Sequence, residues 1–285
     1  YQHRGLVTYK NRVYSLPFNL ELINEFFNVN LKPCELDSFL KTKRINISAP
    51  SNLEEKALAL IGPELYTAFV KGYTRKQWGT DPCNLPVDTI TRIPVRSSYL
   101  SSYFNDPYQG LPTLGYTNLI RTMLKGIPVE LNADYFTDPN YWLKHSNRLV
   151  YTGPIDKFFE LSLGRLTWRS CRFELEALLV PDFQGTSLMN YVEEDVAFTR
   201  ICEPKHFYPE QPSVSSTVVI REYPCCNPVE PYYPVNTTAD KQILLGYQAL
   251  KPDRVVFGGR LADYRYYDMH KTIETALDQA ARLCA

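Results

Sequence analysis

The chain has 285 residues and a mass of 32.9 kDa, which is room for one large domain or two ordinary ones. Hydrophobic residues make up 44% and charged residues 22%, which excludes a disordered or collagen-like chain. The 31 basic residues balance 31 acidic ones, so the charge argues against a nucleic-acid binder or a binder of acidic membranes. No apolar run approaches the ~20 residues needed to span a bilayer.

The first half is predicted to be mainly helical. Ser51, with Glu54 three residues later, forms a capping-box pattern that opens a helix, and Gly62-Pro63 interrupts that helix. Pro63 suits the first position of a second helix, which ends near Gly72. The other elements predicted here are a strand at 12–16, a helix from Leu20 to Phe27, loop over most of 79–116, a helix at about 118–125 and a strand at 128–131.

The second half has the alternating pattern of an α/β protein. The predicted strands are 148–151, 171–180, 217–222 and 254–257, and the predicted helices are 239–250 and 268–283. In the last helix, Ile273, Ala276, Leu277, Ala280 and Leu283 repeat on one face at helical spacing. No internal repeat or low-complexity segment interrupts this pattern.

Cysteine and histidine give no sign of a metal site or a disulfide framework. The seven cysteines are irregularly spaced without a CxxC pair, and the four histidines lie far apart without an HExxH or HxH pattern. Reduced thiols and the lack of a visible signal peptide predict the cytoplasm.

Three patterns could contact a ligand. A strand followed by Gly258-Gly259-Arg260 and a helix near Asp268 suits a phosphate or the polar end of a flavin, although glycine at such a junction often serves packing. Phe69 and Tyr73 lie four residues apart on a helix and could bracket a planar base, or both could belong to the core.

Arginine is the third pattern, because a guanidinium forms two parallel hydrogen bonds to phosphate oxygens. The arginines considered for a diphosphate are Arg92, Arg96, Arg165, Arg169, Arg200 and Arg260. The sequence contains no Ser/His/Asp set and no complete GxGxxG or GxxxxGK[ST] loop.

Long strings in the same order together resemble one family. They are FVKGYTRKQWG at 69–79, YFNDPYQGLPTLGYTNLI at 103–120, VYTGPID at 150–156, YYPV at 232–235 and GGRLADYRYYDM at 258–269. The chain resembles the UDP-galactopyranose mutases over nearly its whole length.

The resemblance implies a flavoenzyme of the isomerase class that interconverts UDP-galactopyranose and UDP-galactofuranose. It implies reduced FAD, catalysis through a covalent flavin N5–sugar intermediate, and NAD(P)H or another reductant for the flavin. It also implies a role in cell-wall or polysaccharide biosynthesis and a homodimer, with neither nucleic acid nor membrane as partner.

Site residues are carried over position by position from the resemblance. Arg92, on a mobile loop, and Arg200 would clamp the diphosphate as the catalytic arginines. The substrate-binding residues would be His3, Phe69, Tyr73, Thr74, Trp78, Tyr103, Asn190, Tyr233 and Tyr266, with Phe69 and Tyr73 flanking the uracil and Trp78 lining the sugar pocket. The cofactor-binding residues would be Gly259, Arg260, Asp268, Met269 and Thr272.

One departure from the family is large. The strand–GxGxxG–helix unit that binds the ADP half of FAD, and the histidine loop that follows it, are not in this sequence. We therefore expect that this chain is a fragment of a full enzyme. The alternatives are that a second chain supplies the missing unit, or that the chain is a decayed homologue.

The predicted fold class is α/β, an incomplete FAD/Rossmann-type sheet domain with an inserted helical substrate domain and an antiparallel sheet. The predicted segments are 1–19 (sheet), 20–80 (helical substrate domain), 81–147 (mobile loop and mixed sheet) and 148–285 (sheet and the end of the FAD domain). The alternative functions are a non-catalytic UDP-sugar-binding protein without flavin and, less favoured, an ordinary flavin oxidoreductase.

Overall fold

The structure is a computed structural model that describes residues 2–89, 95–208, 210, 215–226 and 230–284. The chain divides into two compact units. The first unit comprises Tyr1–Gly110 and Arg169–Glu230, and the second comprises Leu111–Trp168 and Pro231–Ala285. In the described ranges, no helix combines the length and apolarity needed to cross a bilayer.

Two strands begin the described chain, six α-helices follow them, and the remaining strands come after residue 148. The strands are β1 (Gly5–Tyr9), β2 (Arg12–Leu16), β3 (Leu149–Tyr151), β4 (Trp168–Leu178), β5 (Leu188–Tyr191), β6 (Arg200–Cys202), β7 (Thr217–Cys225), β8 (Tyr233–Pro234) and β9 (Val255–Phe257). The α-helices are α1 (Leu20–Phe27), α2 (Leu36–Lys43), α3 (Leu53–Leu65), α4 (Gly72–Trp78), α5 (Gly115–Met123), α6 (Pro139–His145), α7 (Ile155–Phe158), α8 (Thr238–Ala249), α9 (Gly259–Ala262) and α10 (Met269–Cys284). The predicted α/β class is confirmed.

The first unit is built on a mixed sheet. Its strand order is β2-β1-β5-β6-β7-β4, and every neighbouring pair is antiparallel except β1 with β5. Residues opposite one another on neighbouring strands point to the same face, so this register fixes which side chains meet.

Helices α1 to α4 belong to the same unit. Asn52, rather than Ser51, caps α3, because its side chain accepts from the backbone N–H of Glu55. The predicted break at Gly62 is confirmed: Gly62 has φ +80° and Pro63 starts the continuing helix. The chain then runs through a π-helical turn, Tyr66–Lys71, directly into α4.

The second unit contains the parallel pair β3 and β9, both of which the sequence predicts. Its core is apolar and aromatic, with Ile155, Tyr247 and Tyr264 fully buried. The predicted strand at 128–131 is wrong: Val129 and Leu131 are exposed, and no strand in the described part of the chain pairs with this segment.

Candidate functional site

A row of side chains crosses the sheet of the first unit. The strand registers place Asn190 opposite Arg200, and Arg200 opposite Glu222. The same row continues to Val7 of β1 on one side and to Phe173 of β4 on the other. Two predicted site residues, Asn190 and Arg200, therefore lie side by side on one face.

Two more predicted residues lie on this face. The ring of Tyr103 lies against Gly5, where a Cβ would come within 2.9 Å of its Cδ2. The His3 ring packs edge-on against Tyr103 at 5.3 Å between centroids, and the Tyr103 N–H donates to the His3 carbonyl oxygen at 3.0 Å. The structure thus brings His3, Tyr103, Asn190 and Arg200 together, although up to 197 positions separate them.

An ion pair lies at the centre of the face. Arg200 Nη2 donates to Glu222 Oε1 at 2.9 Å, and the Cys171 thiol donates to the same oxygen at 3.5 Å. Beside the pair is an open apolar groove of about 430 Å³, lined by Phe173, Leu175, Leu188, Arg200, Cys202, Ile220 and Glu222. A guanidinium at the wall of an apolar groove is suited to bind an anion away from bulk water.

Two titratable groups on this face, His3 and Cys202, are neutral at pH 7. Burial, helped by the positive charge of Arg200, lowers the pKa of His3 below 6.5. Burial raises the pKa of the Cys202 thiol to about 11. Neither group therefore adds a charge beside Arg200, and Cys202 is no thiolate nucleophile.

Phe69 and Tyr73, the two aromatic residues predicted to flank a base, differ in burial. Phe69 is only 5% exposed and packs against the rings of Tyr9, Tyr14, Phe18 and Phe26 at 5.2–6.1 Å, so the structure favours the core interpretation for this ring. Tyr73 and Trp78 of α4 are half-buried, while Thr74 is buried. A base contact by Phe69 and Tyr73 stays a prediction.

Arg96 is one of the arginines considered from the sequence for a diphosphate, and in the structure it contacts backbone carbonyl oxygens. Its Nη1 donates to the Ser102 carbonyl oxygen at 2.5 Å, and its Nη2 donates to the Phe104 carbonyl oxygen at 3.3 Å. Arg96 therefore holds the loop that carries Tyr103. Arg92, the other predicted diphosphate clamp, lies outside the described residues.

The second unit groups three of the predicted residues. The rings of Tyr233 and Tyr266 stack at 5.4 Å, and the Arg260 guanidinium lies over both, 5.6 and 4.8 Å from their centroids. Arg260 Nη1 also donates to the Tyr232 carbonyl oxygen at 2.9 Å, and Nη2 donates to that of Tyr267 at 2.6 Å. Its contacts in this structure are thus with the protein itself.

The two glycines of the turn differ in the space around them. A Cβ on Gly258 would lie 2.5 Å from Gln279 Oε1 of α10, so Gly258 serves packing. Gly259 has φ +81°, and the nearest atom to a Cβ there is 3.7 Å away. At the start of α10, the Thr272 N–H donates to the Asp268 carbonyl oxygen at 2.9 Å. Met269, the first residue of this helix, is exposed.

One group of metal-ligand type lies elsewhere in the first unit. Asp182, Glu203 and His206 place their ligand atoms within 4.8 Å of one another. The Lys205 ammonium contacts both carboxylates, at 3.0 and 3.4 Å, and Thr217 donates to Glu203 at 2.7 Å. These contacts make the group an ion-pair cluster.

Comparison with known proteins identifies the family to which the chain belongs. The profile of the UDP-galactopyranose mutase family matches residues 68–266. A Klebsiella pneumoniae protein named "Probable UDP-galactopyranose mutase" is 39% identical, over 98% of this chain and 73% of its own length. A dTDP-fucopyranose mutase of Escherichia coli is 34% identical, over 95% of this chain and 74% of its own length.

The solved structures show the same fold. A crystal structure of reduced UDP-galactopyranose mutase superposes with a TM-score of 0.66 at 15% identity, over 93% of this chain and 73% of that one. The resemblance noted from the sequence is confirmed, and the chain belongs to the UDP-galactopyranose mutase family. It spans about three quarters of the length of these relatives.

Proposed function

We propose that this chain carries the substrate-binding part of a UDP-galactopyranose mutase, which interconverts UDP-galactopyranose and UDP-galactofuranose. One observation carries the proposal: Arg200, Asn190, Tyr103 and His3 meet on one sheet face beside an apolar groove. Family membership supplies the kind of ligand, a UDP-sugar.

The diphosphate is the part of the substrate that this face suits. The guanidinium of Arg200 stays charged at any working pH and carries five N–H donors, of which Nη2 contacts Glu222. Because Glu222 holds the guanidinium in place, little side-chain entropy remains to be lost when a phosphate binds. His3 stays neutral and donates or accepts a hydrogen bond without competing for the anion.

In this proposal, residues of α4 bind the base and the sugar. Tyr73 is half-buried and offers one ring face for uracil stacking, and Trp78 at the end of α4 lines the sugar site. Thr74 and Asn190 add polar contacts from buried positions. Tyr233 and Tyr266 remain proposed sugar or phosphate contacts, and Arg92 remains the proposed second clamp.

The family implies a flavin, and the residues of the second unit fit its polar end. Gly259 has the left-handed backbone and open space that such a contact needs, and Asp268 and Thr272 begin α10 beside Met269. Arg260 would orient this turn through its carbonyl contacts. The reduced flavin supplies the nucleophile for the sugar. We also propose a cytoplasmic homodimer, reduced by NAD(P)H, that serves polysaccharide synthesis.

Calorimetric titration of the 285-residue chain with UDP tests the substrate half of the proposal. We expect binding, and Arg200→Ala should weaken it by about 1.5–3 kcal/mol because charge-assisted hydrogen bonds are lost. Arg172→Ala is the matched control: Arg172 is on the same sheet, its side chain is 60% exposed, and it lies one position from Phe173 and so on the opposite face.

Equal UDP affinity in the Arg200→Ala and wild-type chains would refute the site. An absorbance spectrum and a mutase assay under dithionite then distinguish the mutase from a non-catalytic UDP-sugar-binding protein. Bound flavin with turnover supports the enzyme, whereas UDP binding without flavin indicates the non-catalytic UDP-sugar-binding alternative.

A further inference from the structure

The ammonium of Lys76 joins α4 to the sheet. Its Nζ donates to three carbonyl oxygens: Tyr191 at 2.8 Å, Val196 at 2.9 Å and Phe198 at 3.0 Å. These oxygens belong to the end of β5 and to the turn 192–199, which connects β5 to β6. All three donors of the ammonium therefore converge on a single turn of the backbone.

The same turn approaches α4 at a second point. A Cβ on Gly72, the first residue of α4, would collide with the Val192 carbonyl oxygen and meet Glu194 Cγ at 3.1 Å. The backbones of α4 and of the turn thus lie in direct contact, at a distance that only glycine permits. Lys76, one helical turn further on, fixes the same contact by hydrogen bonds.

The last turn of α4 is held from another strand. Arg169 of β4 is buried, and its Nε donates to the Gln77 carbonyl oxygen at 2.9 Å while its Nη2 donates to that of Lys76 at 3.1 Å. A cation at the C-terminal carbonyls also satisfies the helix dipole. Arg169 fixes the end of the helix. Among the described residues of α4, Lys76 donates to the carbonyls of the turn, while Arg75 pairs with the Glu194 side chain.

Both sides of the Lys76 contact carry proposed substrate residues. Tyr73, Thr74 and Trp78 are on α4, and the strands joined by the turn carry Asn190 and Arg200. We propose that Lys76 is a positioning residue that sets the distance between the uracil-binding helix and the diphosphate-binding sheet. This inference rests on the proposed function for its ligand, although the contact itself is tested without one.

Burial of the Lys76 ammonium makes the contact sensitive to pH. Burial lowers the pKa of Lys76 to about 8, against the opposing effect of three carboxylates of the turn. The charged groups around it are Asp195, Glu193 and Glu194 of the turn, Arg75 of α4, which pairs with Glu194, and Arg169 of β4. The titratable rings of Tyr191, whose carbonyl oxygen accepts from Lys76, and of Tyr223 of β7 both pack on Phe198. A neutral amine has two donors for three carbonyls, so deprotonation removes one hydrogen bond.

Hydrogen exchange of the 285-residue chain tests the contact directly. In Lys76→Met we expect amide exchange in 72–79 and 192–199 to rise at least tenfold, with other segments unchanged. Lys76→Arg should not restore protection, because a planar guanidinium cannot aim three donors at one convergent set of carbonyls. Lys41→Met is the matched control, since Lys41 is exposed on α2 and pairs only at the surface with Asp37.

UDP titration tests the consequence for binding. We expect about tenfold weaker UDP binding in Lys76→Met at pH 7, and wild-type affinity that falls between pH 7 and 9 while that of the variant changes less. Unchanged exchange in Lys76→Met overturns the inference, and so does a pH profile identical in both chains. If the wild-type chain does not bind UDP, the proposed function fails, and the exchange result still decides the role of Lys76.

Should Lys76→Met fail to fold, the wild-type chain alone remains informative. Its exchange in 72–79 and 192–199, corrected for intrinsic exchange, should rise between pH 7 and 9 relative to strand β1, which is hydrogen-bonded on both sides. A constant ratio across that range would overturn the inference.

Discussion

The two units use arginine and aromatic side chains in opposite ways. In the first unit, Phe69 lies in the core while Arg200 faces a groove. In the second unit, Arg260 is bonded to main-chain carbonyls, while Tyr233 and Tyr266 stay half-buried beside it. The proposed binding role therefore falls to an arginine in the first unit and to tyrosines in the second.

This difference shows that the hydrogen-bond partners of an arginine, and not its residue type, determine its role. Arg200 contacts the Glu222 carboxylate. A guanidinium has enough donors to bind a phosphate and a carboxylate at the same time. Arg260 contacts two carbonyl oxygens of its own fold, and these would lose their donors if it moved to a ligand. Three measurements test this contrast, from the largest expected effect to the smallest.

Phe69→Ala should cost about 3–5 kcal/mol of unfolding free energy, because it removes a buried ring that contacts four others. Urea denaturation followed by circular dichroism measures the change. Phe183→Ala, at an exposed position of the same unit, is the control and should change stability by less than about 1 kcal/mol. A stable Phe69→Ala chain that no longer binds UDP would reverse the contrast and assign this ring to the pocket.

Arg260→Ala should cost about 2–3 kcal/mol of stability. The substitution leaves two carbonyl oxygens without their donor and removes the cation from two tyrosine rings. Arg200→Ala should cost less, about 1–2 kcal/mol, since Arg200 is partly exposed and the buried Glu222 carboxylate keeps the Cys171 thiol as a donor. Equal losses of stability in the two variants, by thermal unfolding, would contradict the assigned roles.

The smallest effect concerns His3. Its pKa lies below 6.5 through burial first and Arg200 second, so Arg200→Ala should raise this pKa without restoring the ordinary value. Because the unfolded chain binds the proton more tightly, His3 lowers stability as pH falls through about 6.5. An NMR titration of the imidazole measures the shift, and an unchanged pKa would separate His3 from Arg200.

The sequence predicted most of the longer elements and two short strands, β3 and β9, whose apolar runs end at glycine turns, but it missed β5 and β6. Strands β4 and β7 and helices α8 and α10 are long enough for their apolar period to be recognised. Strands β5 and β6 have four and three residues, too few for a period, although they carry Asn190 and Arg200. The strand predicted at 128–131 has the alternation of a strand but no ladder partner in the described part of the chain.

Family resemblance predicted the candidate site residues, but the sequence did not predict the hydrogen bonds and packing contacts that hold them. The lysine in FVKGYTRKQWG that binds the sheet, Lys76, gave no local signal, because its carbonyl partners lie 115 to 122 positions away. Phe69 has the same spacing to Tyr73 in either a pocket or a core. Only the tertiary fold, which places four other rings around it, separates the two roles.

The π-helical turn at Tyr66–Lys71 sets the rotational phase of α4. Each residue advances an α-helix by about 100°, so the loss of one residue from this turn would swing Tyr73 and Lys76 around the helix axis by about that angle. Lys76 would then point away from its three carbonyls. This stretch should accordingly accept many changes of residue type but no change in residue number, and insertions or deletions here should be far more damaging than in the exposed segment after α5.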